Sequence, residues 1–274
     1  MIKASPCLIC GHPCEVAFEP LILRRHKSTA LFCRNCGFLR LANPVWLAEA
    51  YSDAITATDT GLVARNVDIA RKLSSLLFGV FLDRGENVYV DVAGGYGMLT
   101  RLMRDYGFNF YWSDLYCQNL LARGFDYKSL KSTLRAVDAI TAVEVVEHLE
   151  NPLHFIESTL SETGASTFIF TTELFEGQPP DSTWWYYSFD SGQHIAFFQL
   201  KTLQVMAEKM GMFFLSANGV HIFSKKPVSK MAVKLWTSRF GSKLMQFRAR
   251  RKLPSRTNHD HNAMRSLLGQ NNVS

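Results

Sequence analysis

The sequence predicts an α/β fold: a mostly parallel sheet closed by an antiparallel hairpin, with a small cysteine-rich module in front of it. Three observations carry this reading. Apolar runs of strand length alternate with segments of helical spacing between residues 45 and 224. One such run, residues 87–92, passes directly into a glycine-rich turn and a helix. Five of the six cysteines fall within the first 36 residues, four of them as two matched Cys-x-x-Cys pairs.

Element by element, residues 63–82 predict a first long helix. Residues 87–92 predict a strand, 98–106 a helix, and 108–112 a second strand ending at Ser113-Asp114. Residues 136–143 predict another buried strand, and a helix follows Pro152. Residues 167–171 predict a strand and 202–210 a helix, with 213–217 and 220–224 as the closing hairpin.

The chain has 274 residues, 47% hydrophobic and 20% charged, which suits one large domain with an appendage and excludes a disordered or fibrous chain. The first six residues carry no apolar stretch, and the run near residues 76–82 is too short to span a bilayer. The expectation is a soluble, cytoplasmic protein. Charge divides the chain into zones: residues 225–274 hold twelve Lys/Arg against one acid, Asp260, whereas the rest is mildly acidic. The expected domains are therefore a metal-binding module at 1–44, an α/β domain at 45–224 and a basic amphipathic tail at 225–274.

Cys7-x-x-Cys10-Gly11 and Cys33-x-x-Cys36-Gly37 offer four thiolates, each pair followed by a glycine that allows a tight turn. All-sulfur tetrahedral ligation suits a structural Zn²⁺. Two unrelated cysteine pairs or a redox dithiol are the alternatives. His12 and Cys14 do not fit the paired spacing, and Cys14 and Cys117 read as ordinary buried thiols.

In the second motif, Asp91-Val92-Ala93-Gly94-Gly95-Tyr96-Gly97 closes a buried strand, and Asp114 ends the next one. Glycines let backbone approach a ligand, the following helix presents free N–H groups, and an acid at the second strand end can hold ribose hydroxyls. The Gly-x-Gly-x-x-Gly fingerprint of nicotinamide dinucleotide binding fails, because Thr100 stands at its last position. On these residues the chain resembles the Rossmann-like class I S-adenosylmethionine-dependent methyltransferases, with Ala93 where their first motif usually has glycine. The resemblance implies that Asp91, Ala93, Gly95, Gly97, Asp114 and Glu144 hold S-adenosylmethionine, with Phe125 near its adenine.

Glu144-Val145-Val146-Glu147-His148 then looks like the loop after the fourth strand of the same superfamily. Most relatives use it to support the cofactor pocket. Ubiquinone-type O-methyltransferases and small-RNA 2′-O-methyltransferases bind a divalent ion with a similar motif. Here Glu144, Glu147, His148 and His194 are the candidate ligands, a set better suited to an ion softer than Mg²⁺. Without an ion, His148 and His194 are candidate general bases, with Glu147 as the third catalytic residue.

Four consecutive aromatics, Trp184-Trp185-Tyr186-Tyr187, read as a loop for stacking on a sugar or base, or else as a lid or dimer contact. The whole pattern is similar to bacterial methyltransferases with zinc-binding N-termini, associated with surface-polysaccharide and deoxysugar biosynthesis. The resemblance implies transfer to a sugar hydroxyl of a glycan, nucleotide sugar or lipid-linked saccharide. An RNA methyltransferase gripping RNA with module and tail, or a non-catalytic methyltransferase-like binding protein, are the alternatives. In the tail, Met231, Leu235, Trp236, Phe240, Leu244, Met245 and Phe247 recur at near-helical spacing. Such a helix could lie on an anionic membrane, bind RNA phosphates or pack on the body.

Overall fold

The computed structural model describes residues 5–52 and 59–271. In chain order its elements begin with β1 (Glu15–Phe18), β2 (Leu21–Ile22), β3 (His26–Lys27), β4 (Ala30–Phe32), β5 (Leu39–Leu41), α1 (Leu47–Ala50) and α2 (Leu62–Gly79). The central part holds β6 (Val88–Val92), α3 (Met98–Asp105), β7 (Asn109–Ser113), α4 (Tyr127–Leu130), β8 (Ala139–Val143), α5 (Pro152–Thr163) and β9 (Thr167–Thr171). It continues with β10 (Ala196–Phe197), α6 (Leu200–Lys209), β11 (Phe213–Ala217) and β12 (Val220–Ser224). Three helices follow: α7 (Lys230–Thr237), α8 (Arg239–Lys252) and α9 (Thr257–Asn271).

The main sheet has six strands in the order β11-β12-β9-β8-β6-β7. β6 runs parallel to both β7 and β8, while β12 is antiparallel to β9 and to β11. This is the α/β sheet with a closing antiparallel hairpin that the sequence predicts. Asn218 and Gly219 make the hairpin turn with φ of 52° and 77°, the left-handed pair that matches the twist of two antiparallel strands.

By contacts the chain divides into two compact units, Met1–Thr58 with Ala142–Pro227 and Asp59–Thr141 with Val228–Ser274. These do not follow the expected boundaries at residues 44 and 224. The reason in the first unit is a four-stranded antiparallel sheet, β1-β4-β5-β10, whose last strand comes from far along the chain. Its core joins Ile22, Phe32, Leu41 and Trp46 to Tyr186, Tyr187 and Phe197, all at most 3% exposed. The apolar residues of the cysteine-rich segment are thus buried against later ones.

In the second unit the expected tail is three helices. Ser75 Oγ on α2 donates to the Trp236 carbonyl at 2.7 Å, and Met245 lies against Gly79, where an added Cβ would meet its Cγ at 3.1 Å. α9 is held by a buried ion pair. Arg104, 1% exposed, donates from Nε and Nη2 to the two Asp260 oxygens, each at 2.7 Å. A guanidinium stays charged wherever it is buried, so this fork needs a carboxylate, and Asp260 is the segment's one acid.

Candidate active site and metal clusters

β6 is buried at every position, and its carboxyl end opens into the glycine turn. Gly95 and Gly97 have φ of 53° and 86°, a region open to glycine at little cost, and Ala93 adopts 49°. A Cβ on Gly95 would meet nothing within 4 Å, so its backbone faces open space. On the other side the turn is packed. A Cβ on Gly94 would lie 2.8 Å from Asp91 Oδ2, and Trp112 Nε1 donates to the Gly95 carbonyl at 2.8 Å.

The two acids that flank the turn play different parts. Asp114 Oδ2 accepts the Gly95 N–H at 2.9 Å, while Oδ1 accepts from the amides of Tyr116 and Cys117 at 2.7 and 2.9 Å. One carboxylate thus ties the turn to the end of β7 and keeps accepting capacity on Oδ2. Asp91 instead points into the fold, 2% exposed, and accepts hydroxyl protons from Thr141 at 2.9 Å and Thr100 at 3.3 Å. Burial pushes its acid up to about 7 against the lowering effect of those hydroxyls, with the Asp114 charge adding to the rise. Asp91 therefore anchors the first turn of α3. The Phe125 ring is 7% exposed, with the Arg104 guanidinium 3.6 Å from its centroid, so a cation already covers one of its faces.

In the other unit, Glu144 leaves β8 with φ of 52°, a sparsely populated conformation for a residue with a side chain. Its amide donates to Thr171 Oγ1 at 3.0 Å, and that hydroxyl donates to Glu144 Oε1 at 2.7 Å. One turn later the chain brings Glu147, His148 and His194 together, with candidate ligand atoms within 4.8 Å of one another. Glu144 is not in this group: its carboxylate is engaged by Thr171 and lies 3.4 Å from the Tyr186 hydroxyl, which corrects the four-residue ligand set.

Glu147 is fully buried, and Tyr186 donates to its Oε1 at 2.8 Å. Its Oε2 has no hydrogen-bond partner. Burial, aided by the Glu144 charge, holds the acid well above the ordinary range. His148 Nδ1 lies 3.0 Å from the Gln193 carbonyl and His194 Nδ1 2.6 Å from that of Tyr186. A carbonyl can only accept, so each Nδ1 carries the proton and each Nε2 the lone pair. The rings meet edge to face with centroids 4.8 Å apart. This arrangement can take up a proton or hold a cation.

The aromatic run does not form a stacking loop throughout. Tyr186 and Tyr187 are at most 2% exposed and Trp184 packs on the same core, so only Trp185, at 72%, faces outward. Gly192 φ is 67°, and an added Cβ would lie 2.9 Å from Ile22 and 3.0 Å from Trp46. Gln193 Nε2 donates to the Ala50 carbonyl at 2.8 Å, and Ile195 N–H to that of Glu147 at 2.8 Å. The His194 loop is thus fixed by the cysteine-rich segment on one side and by Glu147 on the other.

Cys7, Cys10, Cys33 and Cys36 place their sulfurs within 4.8 Å of one another. Cys7 and Cys36 Sγ are 3.6 Å apart, Cys10 and Cys33 3.4 Å. Tetrahedral thiolates around Zn²⁺ would stand about 3.8 Å apart, so the donor set fits that ion. The Gly11 and Gly37 amides close the two knuckles on the Cys7 and Cys33 carbonyls at 2.9 and 2.8 Å. The hydrogen bond from Cys36 lowers Cys7 to about 5 while pushing Cys36 well up, since neighbouring thiols cannot all ionise without a cation. Cys14 is buried, and burial raises it to about 12.

A family profile described as methyltransferase domain matches residues 64–215, more than half of the chain. The chain belongs to the methyltransferase-domain family. No curated protein sequence matches it. Among solved structures, this methyltransferase domain is similar to the mitomycin 7-O-methyltransferase MmcR, at 14% identity over 65% of this chain and 59% of that one, with a TM-score of 0.43. It is similar to the small RNA methyltransferase HEN1 at 16% identity over 58% of this chain and 25% of that one, TM-score 0.39. Magnesium protoporphyrin IX methyltransferase from Synechocystis PCC 6803 matches at 13% identity over 65% of this chain and 90% of that one, TM-score 0.41. The chain spans less than two thirds of the length of MmcR and of HEN1.

Several participants escaped the sequence reading. Thr100 and Thr141, which hold Asp91, are polar residues inside apolar runs, a signal that was there to use. Tyr186 as the partner of Glu147, and Trp46 and Gln193 as fixers of the His194 loop, arise from pairings between distant segments and leave no local pattern.

Proposed function

We propose that this protein is an S-adenosylmethionine-dependent methyltransferase that methylates a sugar hydroxyl of a glycan, nucleotide sugar or lipid-linked saccharide. The observation that supports the cofactor best is the Asp114 carboxylate clamped on the Gly95 amide, which shapes an open-faced glycine turn at the end of a parallel strand. MmcR and the magnesium protoporphyrin enzyme carry methyltransferase names, and the latter was solved with S-adenosylmethionine bound.

S-adenosylmethionine, when bound, supplies a methyl group on a sulfonium. Ala93, Gly95, Gly97 and Asp114 would hold it, with Asp91 acting from beneath through Thr100. The remaining work of the chain is to orient the acceptor and remove its proton. Trp185 offers an exposed aromatic face for a sugar ring next to Tyr186. Nε2 of His194 or His148 would take up the proton of the acceptor hydroxyl, and Glu147 and Tyr186 fix the rings' surroundings.

A second reading adds a divalent ion held by Glu147, His148 and His194, supported by the orphaned Glu147 Oε2 and two Nε2 lone pairs. That ion would polarise the acceptor oxygen. The four cysteines hold structural zinc. The test is transfer of labelled methyl from S-adenosylmethionine to a panel of nucleotide sugars and lipid-linked saccharides, alongside RNA, with metal content measured. Labelled saccharide supports the proposal; RNA labelled in its place overturns the acceptor class. Metal beyond one zinc per chain, with activity lost to a mild chelator, favours the second reading.

A further inference from the structure

Helices α7 and α8 carry two faces. Val233 and Thr237, then Gly241, Ser242, Met245 and Ala249, are buried, and these helices pack on α2. A second stripe points the other way. Met231 and Leu235 stand one turn apart on α7, and Phe240, Leu244 and Phe247 recur at i, i+4 and i+7 on α8. Met231 is 85% exposed and Phe240 86%, with the other three at least half exposed. The core has been built without them.

The charge around that stripe is of one sign. All ten Lys/Arg between residues 225 and 252 are exposed. At 100° per residue, Lys243 flanks the stripe of α8 on one side and Arg248 on the other, whereas the Arg250 guanidinium lies over the Tyr106 ring, 5.3 Å from its centroid. The segment's one acid, Asp260, is 3% exposed and locked to Arg104, so it offsets none of this surface charge.

We propose that α7 and α8 form a docking face for an anionic phospholipid surface. The apolar stripe would enter the boundary between headgroups and acyl chains, and the flanking Lys/Arg would reach out to lipid phosphates along their own aliphatic stems. Arg251 already lies over the Phe247 ring, 5.1 Å from its centroid, with its charge beside the apolar surface. RNA phosphates would pair with the cations but give exposed Met and Leu side chains nothing to bury against. A second copy of the chain would bring two cationic flanks together with no carboxylate between them. A membrane is the occupant that uses both features. No helix among the described residues is long and apolar enough to cross one, so contact would be from the surface. The inference does not depend on which acceptor is methylated.

The test is co-sedimentation of the full chain with vesicles of phosphatidylcholine alone and of phosphatidylcholine mixed with phosphatidylglycerol. Binding to the mixed vesicles only, weakened by added salt, is expected. The double variant Phe240→Ser, Phe247→Ser should bind about a hundredfold more weakly, near tenfold for each lost ring. Both side chains are exposed, so an unchanged circular dichroism spectrum shows the fold intact. Absence of binding to mixed vesicles, or binding that the double variant leaves unchanged, overturns the proposal. So does tighter binding to RNA than to vesicles, or a dimer that the same substitutions dissolve.

Discussion

The indole N–H of Trp46 donates to the carbonyl of Gly192 at 2.8 Å, in a buried contact between residues far apart in sequence. Trp46 follows the cysteine-rich strands, and Gly192 precedes His194 by two residues. The same loop leads into β10, which pairs with β5. The cysteine-rich segment is thus a wall of the loop that carries a candidate catalytic histidine.

Trp46→Phe removes the donor and leaves a buried carbonyl unpaired, a loss of about 1–3 kcal/mol. If that loosens the His194 loop, kcat for methyl transfer should fall about tenfold while the dissociation constant for S-adenosylmethionine stays put. Steady-state kinetics and calorimetry separate the two. Equal loss of both would show a general defect of folding instead.

Cys33→Ser should lower bound zinc from one ion per chain to a small fraction, because three thiolates leave the shell open. Since β4, β5 and β10 share a core with Tyr186 and Tyr187, activity should fall with the metal. Elemental analysis beside a thermal melt checks this. Full activity in metal-free protein would remove the structural role assigned to the four cysteines.

Asp91 makes stability depend on pH in a definite direction. Its folded pKa, about 7, is above the ordinary 3.8, so the native state binds the extra proton and stability falls as pH rises from about 4 to 7. The charge-burial cost above that window is on the order of 4 kcal/mol. Asp91→Asn should abolish this fall, leaving the apo-protein more stable than wild type at pH 8 and little changed at pH 4. Parallel denaturation curves of the two proteins at both pH values would contradict the assignment.

His194→Asn keeps a donor for the Tyr186 carbonyl but has no basic nitrogen in place of Nε2. A general base contributes roughly 10²–10⁴-fold, so single-turnover methyl transfer should slow by that order with cofactor affinity unchanged. The matching His148→Asn variant shows which ring does the work. Full rates in both would exclude each as the base.

Much of the sheet was legible because its strands are continuous apolar runs bounded by turn residues. β9, β11 and β12 have the bounds the pattern predicts, and the Asp91 to Asp114 stretch has the expected strand, turn and helix. The two-residue strand Ala196–Phe197 was not legible, since its pairing with β5 is decided by tertiary contact and by no local periodicity. The aromatic run misled for a related reason. A tight turn at Trp185–Tyr187 sends neighbouring rings in different directions, so Tyr186 and Tyr187 reach the core while Trp185 stays outside. Helical spacing in residues 231–247 was visible, but which stripe would pack and which would stay open depended on α2.

The glycine turn, closed by Asp114, is the proposed seat of S-adenosylmethionine. Isothermal calorimetry of the metal-loaded full chain should show one site per chain. Asp114→Ala frees the Gly95 amide and removes the proposed ribose acceptor, so affinity should drop at least tenfold, about 1.4 kcal/mol or more. No binding heat from natively folded wild-type protein, or equal affinity in Asp114→Ala, would rule this seat out.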